Sequence, residues 1–190
     1  MKKNLIISFW FTLVTTVIFG LLYPLAVTGL AQVFFHDRAN GQLIERGGKI
    51  VGSRIIGQAF TDPGYFHPRP SNAGTGYDPT ASGGSNLGPT NKNLIDRVNS
   101  DVKKLQDENP GVAVPVDLVT SSGSGLDPHI SPAAAEFQIP RVSRARHVSE
   151  SDLRNLIARH TLGRQFGFLG EPRVNVLELN LELDALPPAR

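Results

Sequence analysis

The sequence predicts an α+β protein: a single N-terminal transmembrane helix followed by one loop-rich soluble domain with several helices and a small sheet. Three observations carry this. Between Lys3 and His36 there is no charged side chain, and most of that stretch is apolar. Beyond it, apolar residues recur at helical spacing in some segments and alternate with polar ones in others. Finally, the region from Arg38 to Pro140 holds 14 Gly and 10 Pro, about twice the usual share of roughly 12%, yet Ile50, Val51, Ile55, Ile56, Phe60, Tyr65, Phe66, Leu118 and Val119 are interleaved with them. Such anchors favour an ordered, loop-rich fold over a disordered linker.

The first element is the run Leu5–Phe35. A bilayer core takes about 20 mostly apolar residues as a helix, and lipid leaves a backbone no other single-segment solution. Residues 1–35 are therefore assigned as the anchor and 36–190 as the soluble domain. Lys2 and Lys3 precede the span, while His36, Asp37 and Arg38 after it nearly cancel, so the charge bias places the N-terminus inside and the remainder outside. A cleaved signal peptide has an apolar core of about 7–15 residues; this run is much longer, although Gly29-Leu30-Ala31 resembles a cleavage site. Pro24 is a potential kink. Thr12, Thr15, Thr16, Gly20 and Thr28 are small or weakly polar, as on a span packed against partner helices or on one simply facing lipid.

In the soluble part, Gln42–Ile44 and Lys49–Ile56 read as short strands joined at Gly47-Gly48. Pro89 suits a first helical turn. The helix that follows should run from about Thr90 to Glu108, with Leu94, Ile95, Val98, Val102 and Leu105 on its apolar face, and Asn109-Pro110 should stop it. Ser131-Pro132 reads as an N-cap and first helical residue opening a helix over Ala133–Gln138. Pro140 should interrupt it, with another turn over Arg141–Arg146. Ser149 and Asp152 form a capping box for a helix to about His160, with Leu153, Leu156 and Ile157 inward. In Val174–Leu183 the odd-numbered leucines from Leu177 alternate with Glu178, Asn180 and Glu182, the period of a half-buried strand.

Composition excludes several classes. The 19 basic and 17 acidic residues give a net charge of +2, with Arg141, Arg144 and Arg146 the only local basic cluster, so nothing marks a nucleic-acid partner. With no cysteine, disulfides, thiolate catalysis and Cys-bound zinc are impossible. His36, His67, His129, His147 and His160 stand at no metal-ligand spacing, and no metal site is expected. Neither a G-x-S-x-G elbow nor a P-loop is present, and no catalytic residue is assigned.

Three loops are candidates for function. In Tyr65–Ser71, Pro68 and Pro70 stiffen the backbone around Arg69, which suits an arginine clamping a carboxylate or backbone carbonyls and equally a structural salt bridge. In Ala81–Pro89, the segment Ser82, Gly83, Gly84, Ser85 and Asn86 leads toward a helix. Its amides and the helix dipole could hold a phosphate; the same residues also make a tight turn. It shares Ser-Gly-Gly with the Ser-Gly-Gly-Gln signature of ABC transporters, Ser85 replacing the glutamine. In Val114–Pro132, Asp117, Asp127 and His129 lie among Ser and Gly. A triad of Ser122 or Ser124 with His129 and Asp127 is conceivable, but residues so close in one loop rarely reach that geometry, and Asp127-Pro128 is good turn chemistry.

Taken together these strings resemble one family. Gly57-Gln58-Ala59-Phe60, Tyr65-Phe66 with Arg69-Pro70-Ser71, Ser82–Pro89, Val116–Pro132, Gln138 with Arg141-Val142, and Leu169–Val176 are similar to the C-subunit (KdpC) family of the Kdp potassium-transporting P-type ATPases. Ser121 stands where alanine is expected. The resemblance covers nearly the whole chain. It implies a non-catalytic, single-span accessory subunit of an ATP-driven potassium importer in the bacterial inner (plasma) membrane. The implied partners are a channel-like potassium-binding subunit, a P-type ATPase subunit and a small one-helix subunit. The phosphorylated Asp-Lys-Thr-Gly-Thr motif of the ATPase subunit is absent here. The family is described as a catalytic chaperone that raises the ATP affinity of the ATPase subunit, with Ser82–Asn86 as the implied nucleotide contact. No cofactor is expected to bind tightly, ATP being met only through the complex. The charge bias of the anchor conflicts with that contact, since it puts Ser82–Asn86 outside while ATP is inside. Two mechanisms stay open: docking over the external potassium entrance, with Arg69, Asp117, Asp127 and His129 as further contact candidates, or assistance in nucleotide binding. A membrane-tethered periplasmic enzyme or solute-binding module is the alternative of another class.

Overall fold

The computed structural model describes residues 1–186; the last four residues of the domain assigned to 36–190 lie outside the described ones. The chain divides into two compact units, residues 1–43 and 44–190.

The first unit is dominated by an unbroken helical rod, Lys2–Phe34, 33 residues long and apolar enough to cross a membrane. It comprises α1 (Lys2–Thr15), a π-helical stretch (Thr16–Leu22) and α2 (Tyr23–Phe34), followed by the short α3 (His36–Ala39). The π stretch ends just before Pro24, which has no N–H to give the Gly20 carbonyl and whose ring crowds that turn. The chain upstream widens instead of breaking: the Tyr23 N–H bonds the Ile18 carbonyl, five residues back.

In the second unit, β1 (Leu43–Arg46) and β2 (Lys49–Ser53) form a hairpin across Gly47-Gly48. Both glycines have positive φ, as the turn requires. Residues 54–91 then run without regular structure to α4 (Lys92–Glu108). Pro89, expected in the first turn, lies ahead of α4, which is capped by Asn91, its side chain accepting from the Asn93 N–H. The expected apolar face is only half-buried, and Ile95 is exposed.

The core is built by α5 (Pro132–Arg146), α6 (Glu150–His160) and α7 (Val176–Leu183) packed with a three-stranded antiparallel sheet. Its strands are β3 (His129–Ile130), β4 (Thr161–Leu162) and β5 (Arg173–Asn175), in the order β3-β5-β4. Val174 is central, opposite Ile130 on one side and Thr161 on the other. Ser131 caps α5 and Ser149 caps α6 through their hydroxyls, as their sequence positions predict.

Two expectations are corrected. Val174–Leu183 is not one strand: only Val174 and Asn175 extend along the sheet, and the rest coil into α7. Val176, Leu177, Leu179, Asn180 and Leu183 are buried, the i, i+1, i+3, i+4, i+7 set of a helix. Leu181, which a strand would have buried with the others, is only half-buried. Nor does Pro140 interrupt α5, which continues through it to Arg146. Ala134, Ala135, Phe137, Ile139 and Val142 are all buried on either side of the proline, and this packing offsets the lost hydrogen bond.

Candidate functional site

The Ser/Gly string after the short 3₁₀ turn Val116–Leu118 is a hub for three other loops. Ser124 O accepts from the Gly83 amide at 2.9 Å and from the Ser82 hydroxyl at 3.0 Å. The Gly125 carbonyl accepts from the Ser71 hydroxyl at 2.6 Å, and Leu126 O from the Gly57 amide at 2.8 Å. Gly125 has φ +69, and a Cβ there would lie 2.7 Å from both Ala73 N and Gly83 O. No side chain fits where the loops cross.

Arg69, Asp117, Asp127 and His129 all line one cleft of about 600 Å³, together with Glu171 and Arg173. Arg69 does what its rigid frame suggested. Its guanidinium donates to the Asp127 carboxylate at 3.2 Å and to the Thr120 carbonyl at 3.3 Å. The second oxygen of Asp127 accepts from the His129 amide at 3.0 Å and faces its ring Nδ1 at 3.4 Å. Burial alone would push the Asp127 carboxyl up. The His129 hydrogen bonds and charge, with the charge of Arg69, outweigh it and hold the group below the usual carboxylate range. Asp117 accepts from the amide and hydroxyl of Ser131, at 2.7 and 3.0 Å, fixing the residue that caps α5. The Ser122 and Ser124 hydroxyls bond each other, and that of Ser124 also accepts from the Leu126 amide; neither bonds His129, so no triad forms.

Ser82–Asn86 does not enter a helix directly: it ends five residues before the Asn91 cap. Positive φ occurs at Asn86, not at Gly83 or Gly84. A Cβ on Gly83 would meet nothing within 4 Å, whereas one on Gly84 would lie 3.2 Å from Gly123 O. One of the two glycines is thus dispensable to the chain's own packing.

The Arg69 loop is itself held by two buried amide side chains. Asn180 on α7 accepts from Phe66 N at 2.8 Å and donates to Phe66 O at 2.9 Å. Gln138 on α5 accepts from His67 N at 2.7 Å and donates to His67 O at 3.0 Å. Each amide does for one residue what a neighbouring strand would do. Tyr77 adds a third hold, its hydroxyl donating to the Arg69 carbonyl. Burial, and then the Asp127 charge, push that phenol well above its ordinary range. Sequence reading gave no site role to Tyr77, to either amide, or to Glu171 and Arg173, although the last two lay within the recognised string Leu169–Val176. Gln138 lay within a recognised string, but its partner at residue 67 carries no local signal.

A second cleft, about 540 Å³, lies between residues 59–77 and α4. Arg141 on its wall bonds Glu108, Gln138 and the Pro63 and Tyr65 carbonyls at 2.6–2.8 Å. The neighbouring His67 is held below its ordinary value by burial first and by the charge of Arg141 second.

Comparison with known proteins gives these geometries a family. The family model described as K+-transporting ATPase, c chain (KdpC) matches residues 5–185. The chain belongs to the KdpC family. A relative from Koribacter versatilis, named a potassium-transporting ATPase KdpC subunit, is 65% identical over 188 residues, covering 99% of this chain and 97% of the relative. Those of the same name from Methylobacterium nodulans and Caulobacter vibrioides are 55% and 59% identical, covering 98% and 91% of this chain and 96% and 88% of the relatives. The KdpC match runs through the apolar rod as well as the body.

Proposed function

We propose that this chain is the C subunit of a potassium-transporting ATPase, non-catalytic, anchored by its N-terminal span with residues 44–190 outside. There the body docks on the external face of the channel-like subunit and stabilises the assembly with the ATPase and one-helix subunits. The observation that carries this is the family match over both the apolar span and the body. The geometry supports docking over turnover. Arg69, Asp127 and His129 are occupied with one another, and Asp117 with the α5 cap, so the cleft is a stiffened surface with no poised nucleophile. The two-lysine bias before the span supports the orientation.

The second reading is the catalytic-chaperone role, in which Ser82–Asn86 contacts nucleotide. The open space around Gly83 makes the two separable, because Gly83→Ala leaves the chain's own packing intact. The experiment is copurification with the other subunits, followed by assay of Gly83→Ala in the intact complex against both potassium and ATP. Docking predicts weakened assembly or a raised potassium requirement with the ATP requirement unmoved. A raised ATP requirement with assembly and potassium affinity intact would favour nucleotide contact. A C-terminal reporter active only on the cytoplasmic side would refute the orientation, and a chain that purifies alone from cells holding the other subunits would refute the role.

A further inference from the structure

Between β4 and β5 the chain forms a small hairpin. Gln165 and Leu169 pair by two backbone hydrogen bonds, each 2.9 Å. In the turn Gln165–Phe168, the Phe168 amide donates to the Gln165 carbonyl, and both central residues have positive φ, Phe166 at 53° and Gly167 at 82°. That is the conformation Asn-Gly fills at least expense. A bulky residue with positive φ is an outlier. Phe166 is also 88% exposed, Phe168 71% and Leu169 47%. Water exposure and backbone strain are both unfavourable here, and the described residues leave most of both phenylalanine rings uncovered. Strain of this kind, about 1–3 kcal/mol, persists at functional positions.

We infer that Phe166 and Phe168 are a docking key that inserts into an apolar pocket on the outer face of the channel-like subunit. This rests on the docking role proposed above and names the element that performs it. Charge favours a protein pocket over a lipid surface. Arg164 is paired with Glu171 at 2.7 Å, so the hairpin between them is neutral and lacks the excess lysine and arginine that draw apolar segments to an anionic lipid surface. Two aromatic anchors inside a polar rim of Arg164, Gln165 and Glu171 match the anatomy of a protein interface. The base of the hairpin, Gly170 and Glu171, lines the cleft that holds Arg69 and Asp127, so key and cleft form a continuous surface.

The test uses the full chain coexpressed with its partner subunits. The variant F166N/F168S replaces the strained phenylalanine by a residue suited to positive φ, so the hairpin is kept while its apolar tip is removed. Its thermal unfolding should come no lower than that of wild type, because the strain at position 166 is relieved. Its copurification with the tagged channel-like subunit should fall at least tenfold. Ile50→Ser, at an exposed apolar residue of the β1–β2 hairpin, serves as control and should copurify normally. A photocrosslinking side chain at position 168 should label the channel-like subunit. Labelling of lipid alone, or of a second copy of this chain, overturns the inference, as does normal copurification of the double variant. If wild type itself does not copurify, the docking role fails before the key is in question.

Discussion

Asn180→Leu is the sharpest test of how the Arg69 loop is held. The substitution keeps side-chain size roughly constant and removes one acceptor and one donor. Phe66 is 0% exposed and Asn180 1%, so water cannot replace either partner. The Phe66 N–H and C=O, now bonded at 2.8 and 2.9 Å, would both be orphaned. Each buried, unsatisfied group costs about 1–3 kcal/mol, and the sum, about 2–6 kcal/mol, is a large part of a typical domain stability of roughly 5–15 kcal/mol. The assay is urea unfolding of the detergent-solubilised full chain, followed by limited proteolysis at residues 60–75. The midpoint should fall and cleavage in the loop should rise. Asn180→Asp, which retains an acceptor for Phe66 N–H but faces the Phe66 carbonyl with a second acceptor, should also destabilise. A loss below about 0.5 kcal/mol for Asn180→Leu, the range of ordinary surface changes, would show that the amide clamp is incidental.

Leu179→Ala should cost about 2–5 kcal/mol, as for a fully buried leucine, because Leu179 is 0% exposed; an unchanged urea midpoint would place it outside the core. Gly125→Ala should destabilise by roughly 1–3 kcal/mol through its positive φ, more if the 2.7 Å approaches to Ala73 and Gly83 cannot relax, and a wild-type melting temperature would contradict the loop crossing. His67 titrates below its usual value of 6.5 when folded. Above that value both states are neutral. As pH falls past it the unfolded chain takes up a proton first, so stability drops by at most about 1.4 kcal/mol per pH unit and levels off below the folded pKa. His67→Gln should flatten that decline between pH 7.5 and 5.5 in paired urea titrations; parallel curves for the two proteins would remove His67 as its source.

Where local chemistry decides, the sequence was readable. Ser131 and Ser149 marked the starts of α5 and α6, Gly47-Gly48 the hairpin, and Lys3–His36 the apolar rod. Two misreadings have different causes. Leu177 to Leu183 alternate with polar residues, but Asn175 and Glu178 stand three apart as a helix-opening pair. The Asn175 side chain does accept from the Glu178 amide, while the buried polar Asn180 disguised the helical stripe. Pro140 was given its usual weight as a breaker, and tertiary packing overrode it. Arg69 was identified in one loop and Asp117, Asp127 and His129 in another, and the structure gathers all four onto one cleft. Their supports were not legible, because Asn180 and Phe66 are 114 residues apart and nothing local relates them.

The widened turn ahead of Pro24 has a consequence for anyone mapping the span. A straight helix turns about 100° per residue, so its contact stripe repeats every 3.6 residues. A stretch bonded five residues back rather than four rotates everything beyond it out of phase. Thr12 on one side and Thr28 on the other cannot therefore be assigned to a common face by counting. A cysteine-crosslinking scan along α1 and α2 should show two periodic series, each regular, offset from each other across Thr16–Leu22. A lipid-facing rod and a rod wedged between neighbours would then be told apart by which of the two series reacts.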